Sequence, residues 1–123
     1  DPRVRTPKLP QDVLDESLRY IISHEVGHCL GLMHNMGSSF AYATESYRDP
    51  VFMQEHGTTP SIMDYARFNY IAQPEDKDVC LTPPVLGTYD YYAIKWGYTV
   101  FPEAKTTEEE VPYLESIIKS KMV

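Results

Sequence analysis

Three histidines and a glutamate in one short stretch are the residues of this sequence best suited to chemistry. His24 and His28 are four residues apart, and Glu25 follows the first of them. On an α-helix this spacing turns the chain by about 400°, so both imidazoles leave the same face and can share one metal ion. Glu25 lies about 100° round the helix from His24, beside the metal without having to bind it. That position suits a general base acting on a zinc-bound water.

A glycine explains how a third histidine joins this pair. On an unbroken helix, His34 would lie about 9 Å further along the axis than His28 and on another face. Gly31 can adopt the left-handed conformation that ends a helix and reverses the chain, which allows His34 to swing back. Three histidines leave a fourth position open for water, as in catalytic zinc sites. The sequence therefore predicts one catalytic Zn²⁺ held by His24, His28 and His34.

The arrangement resembles the zinc signature of the metzincin metallopeptidases, H-E-x-x-H-x-x-G-x-x-H, at every fixed position. Residues 61–65 (SIMDY) are similar to the family's methionine turn, in which Met63 packs beneath the zinc without binding it. In two branches, the astacins and serralysins, a tyrosine two places after the methionine approaches the metal and the oxyanion, and Tyr65 has that position. Asn35 matches none of the residues that mark the familiar branches, and the surrounding sequence most resembles large bacterial exported metzincin-like proteases.

The resemblance implies a mainly α-helical fold, with residues 1–123 forming the C-terminal part of a metzincin-like catalytic domain. Metzincins place a mixed sheet before the zinc helix, and the 23 residues before His24 are too few to form it. We therefore expect the N-terminal sheet to be absent and the chain to be part of a longer protein, exported to the periplasm, cell surface or medium. Such a fragment should expose an apolar surface where the sheet is missing. Without the sheet, the chain is expected to dimerise or to bind zinc weakly.

Composition limits the other classes of function. The 123 residues are 42% hydrophobic and 24% charged, as expected for one globular domain with a modest core. The formal net charge of −7 argues against a nucleic-acid partner, and no apolar run approaches the roughly 20 residues of a membrane span. Cys29 and Cys80 permit one disulfide, although a free and packed Cys29 thiol is the favoured interpretation.

Five segments are predicted to position the site. The zinc helix begins near Asp12 as N-cap, and its second half, beyond Ser23, is expected to be buried. Asp49, Pro50 and Gly57 bound a further short helix. The segments are a lead-in (1–11), the zinc helix and third ligand (12–34), the methionine turn (61–65), a helix similar to the one that metzincins pack behind that turn (88–97), and a tail helix (107–121) that starts either with a Thr107–Glu110 capping box or near Pro112.

Four side chains each keep two interpretations. Tyr42 and Tyr47 either line the cleft or pack in the ordinary way. His56 either supports the site or is a cation at a helix C-terminus, which the helix dipole favours. Asp64 either orients the turn or a ligand through hydrogen bonds, or is a plain turn aspartate.

The favoured function is a zinc endopeptidase that cleaves protein or peptide substrates. Glu25 would take a proton from the zinc-bound water, and Tyr65 would donate a hydrogen bond to the oxyanion. The alternative is a metzincin-like module that binds protein or glycan without turnover, although such a module has no use for Glu25. Hydrolysis of a non-peptide amide is a third, weaker hypothesis.

Overall fold

The computed structural model describes residues 5–83 and 86–121, and this part of the chain is helical, with no β-strand. The mainly α-helical fold is therefore confirmed. The chain divides into two compact units, residues 1–90 and 91–123. The α-helices are α1 (Gln11–Cys29), α2 (Pro50–His56), α3 (Thr88–Tyr98) and α4 (Thr107–Lys119), and two short 3₁₀ helices cover Ser38–Ala41 and Thr44–Arg48.

The N-cap of helix α1 lies two residues earlier than predicted. The amide of Leu14 bonds to the carbonyl of Pro10 at 3.0 Å, so the first turn closes before Asp12 can cap it. Pro10 precedes the helix with φ −55° and ψ 149° and no side chain caps it. The prediction of Asp12 as N-cap is wrong, and Asp12 instead lies in the first turn, where its charge favours the positive end of the helix dipole.

One face of α1 is packed and the opposite face is open. Val13, His24 and Gly27 are buried. Beyond Ser23, the prediction of a buried second half is wrong for Val26, Cys29 and Leu30, which are exposed. The apolar side chains on the open face are between 39% and 61% exposed, and they are Leu14, Leu18, Ile21 and Ile22. An exposed apolar surface is thus present, as expected, and no described helix is long and apolar enough to span a membrane.

The core of residues 1–90 surrounds irregular backbone. Met53 and Met63 are fully buried, and most of the chain from Gly57 to Asp64 is buried although it forms no helix. Buried polar side chains are as prominent here as apolar ones, and they include Thr59, Ser61, Asp64, Asn69, Thr82 and Asp90. Since buried polar groups need hydrogen-bond partners, this core is fixed by specific pairings as well as by apolar packing.

The shorter helices differ in how well their ends were predicted. Asp49 caps α2 by accepting from the amides of Val51 and Phe52, as the sequence predicts. Helix α4 begins at Thr107, and Thr106 rather than Thr107 supplies the cap by accepting from the Glu109 amide at 3.3 Å. The predicted Thr107–Glu110 capping box is therefore wrong, as is the alternative start near Pro112, and the Glu109 carboxylate accepts from the Lys105 amide at 2.6 Å.

Candidate metal centre

The end of α1 turns the chain back toward the helix through a glycine. Gly31 has φ +82°, the left-handed conformation. The amide of Leu32 donates to the carbonyl of Gly27 at 3.0 Å, and the amide of Gly31 donates to the carbonyl of His28 at 2.9 Å. These two bonds form a Schellman motif, which satisfies carbonyls that the helix end would otherwise leave unpaired. The reversal carries His34 back beside the helix, as the spacing predicts.

The three histidines converge on one point. One possible ligand atom from each of His24, His28 and His34 lies within 4.8 Å of the other two. The Nε2 atoms of His28 and His34 are 3.0 Å apart. Zinc binds histidine nitrogens at about 2.0–2.1 Å, so nitrogens this close together could share one ion. Among the described residues, this is the one cluster of metal-ligating side chains with such spacing.

Backbone carbonyls orient two of these rings. His24 Nδ1 lies 2.6 Å from the carbonyl oxygen of Ile62, and His28 Nδ1 lies 2.9 Å from that of Leu32. A carbonyl oxygen only accepts, so both Nδ1 atoms carry the proton and both Nε2 atoms present a lone pair. This is the usual arrangement of a metal-ligating histidine, whose second nitrogen is held by an outer hydrogen bond.

The methionine turn connects the ligand segments. Its carbonyl at Ile62 accepts from His24, and its carbonyl at Met63 accepts from the Asn35 amide at 2.8 Å, next to the third histidine. The Met63 side chain is completely buried and lies against Gly27 of α1. A Cβ added at Gly27 would overlap the Met63 sulfur, so a larger residue there would force the buried Met63 side chain to shift.

A buried aspartate that the sequence analysis assigned no role in the site holds this turn in place. Asp90 is 3% exposed and accepts hydrogen bonds from the Ser61 hydroxyl (2.8 Å), the Ile62 amide (2.9 Å) and the Gly87 amide (2.7 Å). Since Ile62 also bonds to His24, Asp90 positions a predicted metal ligand through one intervening residue. The available signal was the similarity of residues 88–97 to the helix that metzincins pack behind the methionine turn.

Asp64 fixes the other side of the turn. Its carboxylate accepts from the Ser38 hydroxyl and Ser39 amide, both at 3.1 Å, from the Thr59 hydroxyl at 3.2 Å and from the Tyr65 amide at 2.8 Å. Of its two predicted interpretations, an orienting role through hydrogen bonds or a plain turn aspartate, the structure supports the first, and the orientation is of the turn.

Tyr20 holds the outgoing chain. Its hydroxyl donates to the Asp64 carbonyl and accepts from the Ala66 amide at 3.1 Å. Burial raises the pKa of Tyr20, so the phenol stays protonated and can continue to donate.

Tyr65 lies against two of the histidine rings, and Glu25 lines the same pocket. The Tyr65 ring centroid lies 4.6 Å from that of His34 and 5.6 Å from that of His24, although Tyr65 is 60% exposed. Glu25 is exposed. Both line an open pocket of about 510 Å³ together with all three histidines. The pocket thus combines metal ligands, a carboxylate and a phenol.

Comparison with known proteins agrees with this geometry. The chain matches the family described as Met-zincin over residues 6–122. It belongs to that family. No curated protein and no solved structure matches the chain.

The remaining candidates lie outside this Met-zincin centre. His56 packs against Phe52 at a ring distance of 4.5 Å and is not part of the metal-ligating cluster. Tyr42 and Tyr47 line a neighbouring cleft instead of the histidine pocket. Both cysteines are free, and Cys29 is exposed, so the expectation of a packed thiol is wrong.

Proposed function

We propose that this chain is the catalytic region of a zinc-dependent endopeptidase. The observation that carries the proposal is the convergence of His24, His28 and His34, with two of the rings held through Nδ1 by backbone carbonyls. Membership of the Met-zincin family supports it. The donor set fits zinc, because three neutral imidazoles with one open position are the ligands of catalytic zinc sites.

When bound, zinc acts as a Lewis acid that polarises the scissile carbonyl and lowers the pKa of a coordinated water to about 7. The chain's own residues supply the proton transfers. Glu25 lines the pocket without belonging to the ligand cluster, so its carboxylate is free to take a proton and deliver it to the leaving amine. The Tyr65 hydroxyl is available to donate to the negative charge that develops on the carbonyl oxygen.

Replacing Glu25 by glutamine tests this assignment. The zinc-loaded full-length Glu25→Gln protein should keep its zinc, because Glu25 is not a ligand, and should lose at least about 10²–10⁴-fold in peptide cleavage. Zinc content is measured by elemental analysis and cleavage with denatured casein, with and without a chelator. Glu45→Gln is the matched control, because Glu45 is equally exposed and lines neither pocket.

The outcomes separate the functions. Undiminished cleavage by Glu25→Gln would contradict the proposed mechanism. Absence of chelator-sensitive cleavage by the zinc-loaded unsubstituted protein would contradict the peptidase function itself and favour a binding module for protein or glycan. Export from a bacterial cell is part of the same proposal and needs its own localisation experiment.

A further inference from the structure

A second, larger cleft adjoins the metal pocket. Its volume is about 700 Å³, and the two cavities share Tyr65, Ala66 and Arg67 as lining residues. An extended peptide that runs from the histidines into the larger cleft therefore has to pass the side chains that follow the methionine turn.

Arg67 is the single lysine or arginine among the described residues that line either cavity. Its side chain is exposed, and no hydrogen bond or ion pair joins it to another described residue. The nearest acidic residue in sequence, Asp64, is 5% exposed and already accepts four hydrogen bonds. The guanidinium is thus a cation that lies where the two cavities meet and that pairs with no other described residue.

Besides Arg67, the larger cleft is lined by one other charged residue, Asp64, whose buried carboxylate already accepts four hydrogen bonds. The lining of this cleft is mainly aromatic and small polar, with the aromatic members Phe40, Tyr42, Tyr47, Tyr65, Phe68 and Tyr70. The exposed Glu25 lines the metal pocket together with Arg67 and does not line the larger cleft. A guanidinium presents its N–H donors as a rigid fork that matches a carboxylate, and such charge-assisted bonds are roughly twice as strong as neutral ones.

We propose that Arg67 is a specificity-determining residue, which selects peptides with an aspartate or glutamate at the position that enters the larger cleft beside the cleaved bond. This inference rests on the proposed peptidase function. The net charge of −7 means that the protein as a whole repels acidic peptides, so a preference for them would have to come from a local cation such as Arg67.

Peptide pairs that differ only as glutamate or glutamine provide the test. The substitution is moved through each position that flanks the cleaved bond, and kcat/KM is measured with zinc-loaded full-length protein. At one position glutamate should be preferred by about 10–100-fold, the effect expected of a hydrogen bond to a charged group. Arg67→Gln should abolish the preference, and Arg67→Glu should transfer it to lysine.

Arg19→Glu is the matched control. Arg19 is exposed on α1 and lines neither cavity. Arg19→Glu changes the net charge by the same amount as Arg67→Glu, because both replace an arginine by a glutamate. A preference that falls equally in Arg19→Glu and Arg67→Glu would assign it to overall charge and overturn the inference.

A binding measurement separates this inference from the proposed function. Zinc-loaded Glu25→Gln protein, with and without Arg67→Gln, is titrated with the same peptides labelled with a fluorophore. Cleavage without a glutamate preference at any position overturns the role of Arg67 and leaves the peptidase intact. Arg67-dependent binding of the glutamate peptide, without cleavage by the unsubstituted protein, overturns the peptidase and supports the recognition. If the unsubstituted protein does not cleave the peptides, and the Glu25→Gln protein does not bind the glutamate peptide preferentially, both the peptidase function and the role of Arg67 are overturned.

Discussion

The methionine turn and helix α4 differ in what holds them. Ser61, Ile62, Met63 and Asp64 form no regular secondary structure, yet none is more than 6% exposed. Helix α4 has thirteen residues, of which Pro112 cannot donate a backbone hydrogen bond, and none of them is buried. Regular secondary structure therefore does not indicate which part of this molecule is most firmly fixed.

Hydrogen bonds to distant residues account for the difference. Peptide groups of the turn bond to Asp90, His24 and Asn35, which lie far apart in sequence. The side-chain bonds of α4 are local, such as the Lys119–Glu115 ion pair at 3.0 Å, whose members are 72% and 55% exposed. Changes in the turn should thus cost much more free energy than changes in α4.

Loss of the Asp90 carboxylate should give the largest effect. Asp90→Ala leaves three donors without their acceptor, and at about 1–3 kcal/mol for each orphaned buried group we expect a loss of at least about 3 kcal/mol in the free energy of unfolding. Urea denaturation followed by fluorescence measures it, and Glu103→Ala is the exposed control. A loss below about 1 kcal/mol would remove the distinction between the two regions.

A methyl group added between α1 and the methionine turn should have an intermediate effect on the free energy of unfolding. In Gly27→Ala the new methyl group meets the buried Met63 sulfur, and such overpacking costs about 1–3 kcal/mol. Zinc affinity should fall as well, because His24 and His28 flank Gly27. The control is Gly97→Ala in α3, where an added Cβ meets nothing within 4 Å and helix propensity favours alanine by about 0.5–1 kcal/mol. Equal effects of both substitutions would show that packing against Met63 is unimportant.

The smallest effect is expected in α4. Lys119→Ala removes an exposed i,i+4 ion pair and should cost about 0.3–0.5 kcal/mol, less at high salt. Thermal denaturation at two salt concentrations measures it. A cost above about 1 kcal/mol would mean that α4 is held by more than local bonds.

The sequence was most informative where function depends on local spacing. The four-residue interval between His24 and His28 and the glycine before His34 determine the ligand geometry, and both are readable without a structure. Asp90 was not assigned its role because two of its three partners are Ser61 and Ile62, and no local pattern encodes that pairing. The start of α1 was misplaced for a related reason, since the Pro10 carbonyl closed the turn that Asp12 was expected to cap.

The φ angle of Gly31 has a consequence for chemical synthesis. Nothing lies within 4 Å of the place where a Cβ would sit, so the position rejects ordinary side chains because of backbone chirality and not for lack of room. A D-alanine introduced there by peptide ligation has the mirror-image preference, and it would keep the reversal that returns the third imidazole while removing glycine's freedom in the unfolded chain.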